Sequence, residues 1–331
     1  VTLPSVVASH AWECAETWYE PFVDHGLIQD DVNEQAVILG VPLSTAPSVK
    51  VALCEMLFEQ WGAASAYIAS SAFLAGLGSG MASSDSALLV DVGEAGACVV
   101  PIQAGLPLVD CAAFSAVGGK QLSQVMASLM QASGWQKPEN ASWLDIGRQA
   151  KEQLGSAARN YDEDLVAIQN GKSPCPSWSL PITAGAPFVA RDGENIRCVE
   201  PLFTGSTGLS HDSCQRTGCA MSLQETILAS LRLQSDIHFR GKLLGNMVLA
   251  GGSTMFPGLP DRLLHEVQQR MNWVAPGTKR DEAVVRLPDG RQILAWLGGA
   301  VLADCDIFSR LSFTKAQFSS DGPRSILRRA I

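Results

Sequence analysis

Apolar positions along the chain alternate between two spacings. Short unbroken runs read as buried strands: Ala36-Val37-Ile38-Leu39-Gly40-Val41-Pro42-Leu43, Ala66-Tyr67-Ile68-Ala69, Ala87 to Gly93, Ala97 to Ile102, and Met247-Val248-Leu249-Ala250. Between them apolar residues recur every three to four positions, which predicts helices over Val49 to Trp61, Leu122 to Ser133, Trp143 to Tyr161, Ser222 to Leu233 and Arg262 to Met271. His10 to Val23, Ser70 to about Leu77 and the apolar Trp296 to Cys305 add three more. Glu94-Ala95-Gly96 joins two strand runs as a tight hairpin, and Leu180 to Phe203 alternates around Arg191-Asp192-Gly193 as a small antiparallel region. Gly78 to Ser86, Asn170 to Ser177 and Thr204 to Gly218 read as loops, and Pro288-Asp289-Gly290 as a turn. Strands and helices interleave with no internal repeat, so the class is α/β.

The 331 residues give ample length for a sizeable core. Hydrophobic residues make up 47% and charged residues 17%, a balance that leaves room for buried interfaces with partners. A formal charge of −9 provides no broad basic field, which argues against direct nucleic-acid binding; Arg324, Arg328 and Arg329 form only a small basic cluster. No run of about 18 apolar residues occurs, so no membrane span is expected. The nine cysteines are scattered; Cys214 and Cys219 stand as a single pair with no second pair to complete a zinc site, and reduced thiols are the simpler reading. His238 and His265 are isolated and read as surface or capping residues.

Candidate chemistry centres on Met247 to Leu263. An apolar run stops at Gly251-Gly252, two hydroxyl residues follow, and Pro257-Gly258 precedes an amphipathic segment. Glycines at such a strand–turn–helix junction let backbone N–H groups approach an anionic ligand. The whole string resembles the adenosine-binding segment of actin and the actin-related proteins. Other segments do so in the same order: Met56-Leu57-Phe58-Glu59; Leu89 to Gly96, at the family's second phosphate hairpin; Ala150-Lys151-Glu152-Gln153-Leu154; Arg197 to Phe203; Ala295 to Ala303; and Asp321 to Arg328.

The resemblance implies an actin-like α/β fold of the duplicated, ribonuclease H-like kind. It implies a first subdomain from residues 1–80 with 294–331, a third from 81–117 with 212–293, and a fourth from 118–211. Val1 to Glu34 does not resemble the family's first strands and first phosphate loop; the expectation is that this sequence is part of a longer chain. ATP or ADP with Mg2+ is the implied ligand, held by Asp91, Gly93, Glu94, Gly119, Lys151, Glu152, Gly251, Gly252, Ser253 and Met255, with Asp91 meeting the metal through water. The family's lysine over the base is matched by Gln292.

Catalysis by such a site rests on positioning and electrostatics around the phosphates and the attacking water. Here the water-ordering glutamine is matched by Ser71 and the histidine of the second hairpin by Cys98, while Glu94 and Ala95 stand for Asp and Gly. Each lost water-ordering group is worth roughly 10–1000-fold in rate, so the expectation is a nucleotide-holding protein that does not hydrolyse, with no catalytic residue assigned. Leu297, Val301 and Leu302 keep an apolar face that either docks a partner helix or subunit or fills this domain's own core. The implied partners are other subunits of a cytoskeletal complex in the cytoplasm, actin or actin-related proteins among them. Val117-Gly118-Gly119-Lys120 resembles the pointed-end subunit of dynactin, and an axonemal complex is a second setting. The alternatives are a filament-forming ATPase and a subunit of a chromatin-remodelling or actin-nucleating complex.

Overall fold

A computed structural model describes residues 35–80, 86–179, 187–205 and 221–328. The helix expected over His10 to Val23 lies outside them, as do residues 206–218 of the expected polar loop. The chain divides into two units, residues 1–83 with 293–331 and residues 84–292.

The first unit is built on a three-stranded sheet. Ala36–Val41 pairs in parallel with Ser65–Ser70, Ala36 opposite Ser65 and Val41 opposite Ser70, and Phe313–Thr314 joins antiparallel at Ala66 and Ser65. Parallel strands covered on both faces need apolar residues at successive positions, which explains the unbroken runs. One face packs on the Pro47–Glu59 helix through Leu53, Leu57 and Phe58, and Phe58 meets Phe318 with ring centroids 5.0 Å apart. Tyr67 and Ala69 belong to a second cluster with Phe73 and Leu74 of the Ser71–Gly78 helix and Leu302 of the Leu294–Ala303 helix. These two helices touch backbone to backbone. A Cβ on Gly298 would run into the Leu74 carbonyl oxygen, and one on Gly78 into that of Leu294.

The second unit carries a six-stranded sheet. Ser86–Val92 lies between Met247–Ala250, its parallel neighbour, and Ala97–Gln103, its antiparallel one. Val285–Arg286, Leu106–Pro107 and Ala113–Ser115 extend the sheet. Val90, Val92 and Leu249 meet Leu122 and Met126 of the Gly119–Ala132 helix, Ile146 of the Trp143–Leu154 helix and Leu263 of the Leu259–Arg270 helix in one core. Gly147 lets two of these helices close together: a Cβ there would strike the Ser123 carbonyl oxygen and lie 2.9 Å from the Ala127 methyl. The Leu223–Leu233 helix starts at a capping box in which Ser222 Oγ accepts from the Glu225 N–H and a Glu225 carboxylate oxygen accepts from the Ser222 N–H.

Two sequence expectations fail here. The helix expected to reach Tyr161 stops at Leu154, and a separate helix runs from Tyr161 to Gln169. Gly155 turns extended at ψ 135°, and the next two N–H groups donate to the Asn195 and Pro257 carbonyls rather than up the helix. The antiparallel region expected over Leu180 to Phe203 shrinks to Ser177–Trp178 against Phe188–Val189, residues 180–186 lying outside the described part. After Gly193 at φ +75° the chain is helical, as Glu194–Arg197 and Pro201–Thr204. Ile196, Val199, Leu202 and Phe203 are buried at helical rather than alternating intervals.

Candidate functional site

The hairpin between Ser86–Val92 and Ala97–Gln103 sits beside two glycine turns in the second unit. Its Gly93 N–H donates to Gly96 O at 2.9 Å, while Gly93 O accepts from the Gly119 N–H at 2.9 Å and Glu94 O from the Lys120 N–H at 2.9 Å. The first turn of the Gly119–Ala132 helix is thus capped by hairpin carbonyls. Gly118 is needed for this approach, because a Cβ there would collide with Gly96 N and fall 2.8 Å from Gly93 O.

Gly119 presents a bare face on which three polar side chains converge. A Cβ there would collide with Glu94 Oε2 and lie 3.1 Å from Ser253 Oγ and 3.3 Å from Lys151 Nζ. Lys151, only 3% exposed, donates from Nζ to the Gly119 carbonyl at 2.9 Å, and Ser253 Oγ donates to Gly93 O at 3.4 Å. Burial lowers the Lys151 pKa from its ordinary value, and the Glu94 and Glu152 carboxylates oppose that loss. The Cys198 thiol is close enough to feel the lysine; burial nonetheless pushes it up to about 12.

Asp91 is the penultimate residue of the central strand, opposite Ala250 on one side and Cys98 on the other. Its half-buried carboxyl is pushed up to about 6 by desolvation. Gly251, at φ +89°, turns immediately beside it: a Cβ there would lie 2.5 Å from Asp91 Oδ1 and would collide with Val92 O. Gly252 has open space in front of it.

The structure therefore brings Asp91, Gly93, Glu94, Gly119, Lys151, Gly251, Gly252 and Ser253 around one recess. Glu152 and Met255 flank it as exposed residues. Ser71 lies in the other unit, nearly buried in the first turn of its helix below the Ser70 cap. His238 and His265 are exposed. Cys98 faces the recess from the neighbouring strand. Burial first and the Asp91 charge second hold its thiol protonated.

Several supporting residues have no sequence signal of their own. Phe256 packs against the turn after Lys151, where a Cβ on Gly155 would come 2.7 Å from its ring. The Arg291 carbonyl accepts from the Gly251 N–H at 2.8 Å, and its guanidinium donates to Thr254 O at 3.4 Å. Only the position of Arg291 beside Gln292 could have drawn attention to it. Arg262 is buried between Glu200 and Glu266, donates from Nη1 to the Ala158 carbonyl at 2.7 Å, and stacks 4.8 Å from the centroid of Phe203. Among the described residues no group of three or more His, Cys, Asp or Glu could hold a metal ion by itself, and no helix is long and apolar enough to cross a membrane.

Chemically the recess offers glycine-cleared backbone, one buried ammonium, one hydroxyl and two carboxylates. A nucleotide fits that set: glycines admit a flat or phosphate-bearing ligand, the ammonium and carboxylates suit sugar hydroxyls, and a cation would be held by phosphate and water with Asp91 behind.

A family model described as Actin matches residues 10–331. Among curated proteins, Actin-related protein 4 of Gibberella zeae is 25% identical over 317 residues, covering 86% of this chain and 66% of that protein. The chain thus spans about two thirds of the length of that relative.

Proposed function

The chain belongs to the actin family, and from that premise we propose that it is a divergent actin-related protein that keeps an adenine nucleotide as a structural ligand without hydrolysing it and serves as a subunit of a multi-protein cytoskeletal assembly in the cytoplasm. The observation that carries this reading is the asymmetry of the recess. Lys151, Ser253, Gly119 and Gly251 form a cleared, polar cradle. Beside it Cys98 carries a thiol that burial keeps protonated, and in the sequence the family's water-ordering glutamine is matched by the short hydroxyl of Ser71.

In this reading Lys151 and Glu152 hold the ribose and base, with Gly252 and Met255 beside them. Gly93 and Gly251 would let the backbone close on the ligand, and Asp91 would meet a bound cation through water. The cation neutralises phosphate charge when the nucleotide is bound. Neither Cys98 nor Ser71 can accept a proton from an attacking water at neutral pH, and neither reaches as a glutamine or histidine does. The role as a subunit is supported by the exposed apolar residues of the first unit: Trp296 is 63% and Val301 51% exposed, with Ile307 exposed nearby in sequence.

The test is phosphate release from purified, ATP-loaded protein, with and without assembly conditions. The expected result is stoichiometric retained nucleotide and no sustained release. Sustained release at the rate of a filament-forming actin would overturn the reading. Proteins recovered with the endogenous chain separate a dynactin-like or axonemal setting from a chromatin-remodelling or actin-nucleating one.

A further inference from the structure

Lys151 and Ser253 reach the same bare face of Gly119 from two walls of the recess, Lys151 from the Trp143–Leu154 helix and Ser253 from the Gly252–Met255 turn. A strap from Gly155 to Ala158 ties these walls together, one tie at every residue. The Gly155 N–H donates to the Lys151 carbonyl at 2.8 Å, and the bare Gly155 lies against the Phe256 ring. The Ser156 N–H donates to Asn195 O at 3.1 Å, and Asn195 Nδ2 donates back to Ser156 Oγ at 3.1 Å. The Ala157 N–H donates to Pro257 O at 2.8 Å, and the Ala157 carbonyl oxygen fills the space that a Cβ on Gly258 would need. The last tie is made by Arg262, whose Nη1 donates to the Ala158 carbonyl at 2.7 Å. Arg262 is itself held on three sides: Nη2 lies 3.3 Å from Glu200, Nε 2.8 Å from Glu266, and the guanidinium 4.8 Å from the Phe203 centroid. A planar fork bound in this way has one arrangement, and a lysine could serve one of the three oxygens but not all of them.

We infer that Arg262 is a positioning residue for the recess: by pinning Ala158 it holds the strap, and through the strap the spacing of Lys151 and Ser253 over Gly119. The inference rests on the nucleotide reading above and deepens it. Arg262 acts through the strap and not by contact with a ligand. Buried ion pairs add little net stability, but they fix one arrangement of the segments they join. Here the joined segments are the strap, the stretch carrying Asn195 and Glu200, and the Leu259–Arg270 helix. A slack strap lets the two walls part more often without removing any group that borders the ligand. Release of a bound nucleotide then quickens, while its entry changes little.

The test is the release rate of ethenoadenosine triphosphate, chased with unlabelled ATP in Mg2+, from the full chain and from Arg262→Ala, Arg262→Lys and Leu243→Ala. Leu243 is fully buried in the same core but precedes the Met247–Ala250 strand, at the end away from the recess, and its truncation costs a comparable amount of stability. Expected is release about tenfold faster from Arg262→Ala, a smaller increase from Arg262→Lys and the parent rate from Leu243→Ala. Hydrogen exchange gives a second readout: bound nucleotide should protect the Ser156 and Ala157 amides in the parent and far less in Arg262→Ala. Equal acceleration by Leu243→Ala would show that Arg262 contributes stability alone, and parent-like release from both Arg262 variants would overturn the positioning role. If Arg262→Ala does not fold, Arg262→Lys decides between the same outcomes. No retention of the analogue by the parent chain would overturn the nucleotide reading itself, and the positioning role with it.

Discussion

Asp91 and Cys98 stand directly opposite each other across the antiparallel pair at the head of the recess. Burial first and the neighbouring carboxylate second hold Cys98 protonated, while burial alone raises Asp91 to about 6. At neutral pH a thiol faces a carboxylate, and protonating Asp91 relieves the desolvation of its charge.

That relief has a sign. The folded pKa of Asp91 lies above its ordinary 3.8, so the native state binds the extra proton between about 4 and 6. Stability from this group is greatest at the acidic end of that window, falls as pH rises through it and stays lower above. Asp91→Asn should therefore raise the unfolding free energy of nucleotide-free protein at pH 7.5 by about 1–2 kcal/mol, read from urea melts, with a smaller gain at pH 4.5. Equal gains at both pH values would contradict the assignment. With Mg–nucleotide present the same variant should bind more weakly.

Restoring the lost water-ordering groups should restore turnover. Ser71→Gln combined with Cys98→His is expected to raise phosphate release by at least about tenfold over the parent, each group alone giving less. A double variant that binds ATP yet remains as slow as the parent would place the defect elsewhere.

Thiol reactivity should follow burial. Cys175 and Cys305 are exposed and should alkylate within minutes at pH 8. Cys54 and Cys198, both pushed up to about 12 by burial, and Cys98, raised further, should stay unmodified until denaturant is added. Mass spectrometry of time-quenched samples reads this directly.

Two glycines of the recess should fail differently when changed to alanine. At Gly119 the added methyl meets the ends of side chains, Glu94 above all, which can move aside; the fold should survive while nucleotide binding drops at least about tenfold. At Gly251 the methyl meets the Val92 carbonyl oxygen at φ +89°, so that variant should lose about 2 kcal/mol or more of stability. Ligand titrations and denaturation curves on both variants separate the two outcomes.

Arg262→Ala should cost about 3 kcal/mol, because it strands the Glu200 carboxylate and the Ala158 carbonyl and leaves Glu266 to Arg270 alone. A loss under about 1 kcal/mol in chemical denaturation would mean that water replaces the guanidinium.

The strands and the strand–turn–helix from Met247 to Arg270 were legible because apolar run, glycine turn and helical period coincide in one local stretch. The hairpin at Glu94 was legible for the same reason. The end of the helix at Leu154 was not: Gly155 sits within an amphipathic pattern, and what stops the helix is Phe256 and the carbonyls of Asn195 and Pro257, all far along the chain. Gly193 misled in the opposite way, since a left-handed glycine opens a helix as readily as it closes a hairpin. Within the recess, resemblance pointed to the groups at its surface. It could not supply the backing from Arg291, Phe256 and Cys198, whose roles exist only once distant segments have met.

The contact between Gly78 and Gly298 has a mechanical meaning. With carbonyls rather than side chains at the crossing, there is no soft layer between the Ser71–Gly78 and Leu294–Ala303 helices to absorb a shift. The exposed Trp296 and Val301 ride on one helix and Ser71 opens the other. A load applied at Trp296 would therefore be carried by both helices together, the first turn at Ser71 included.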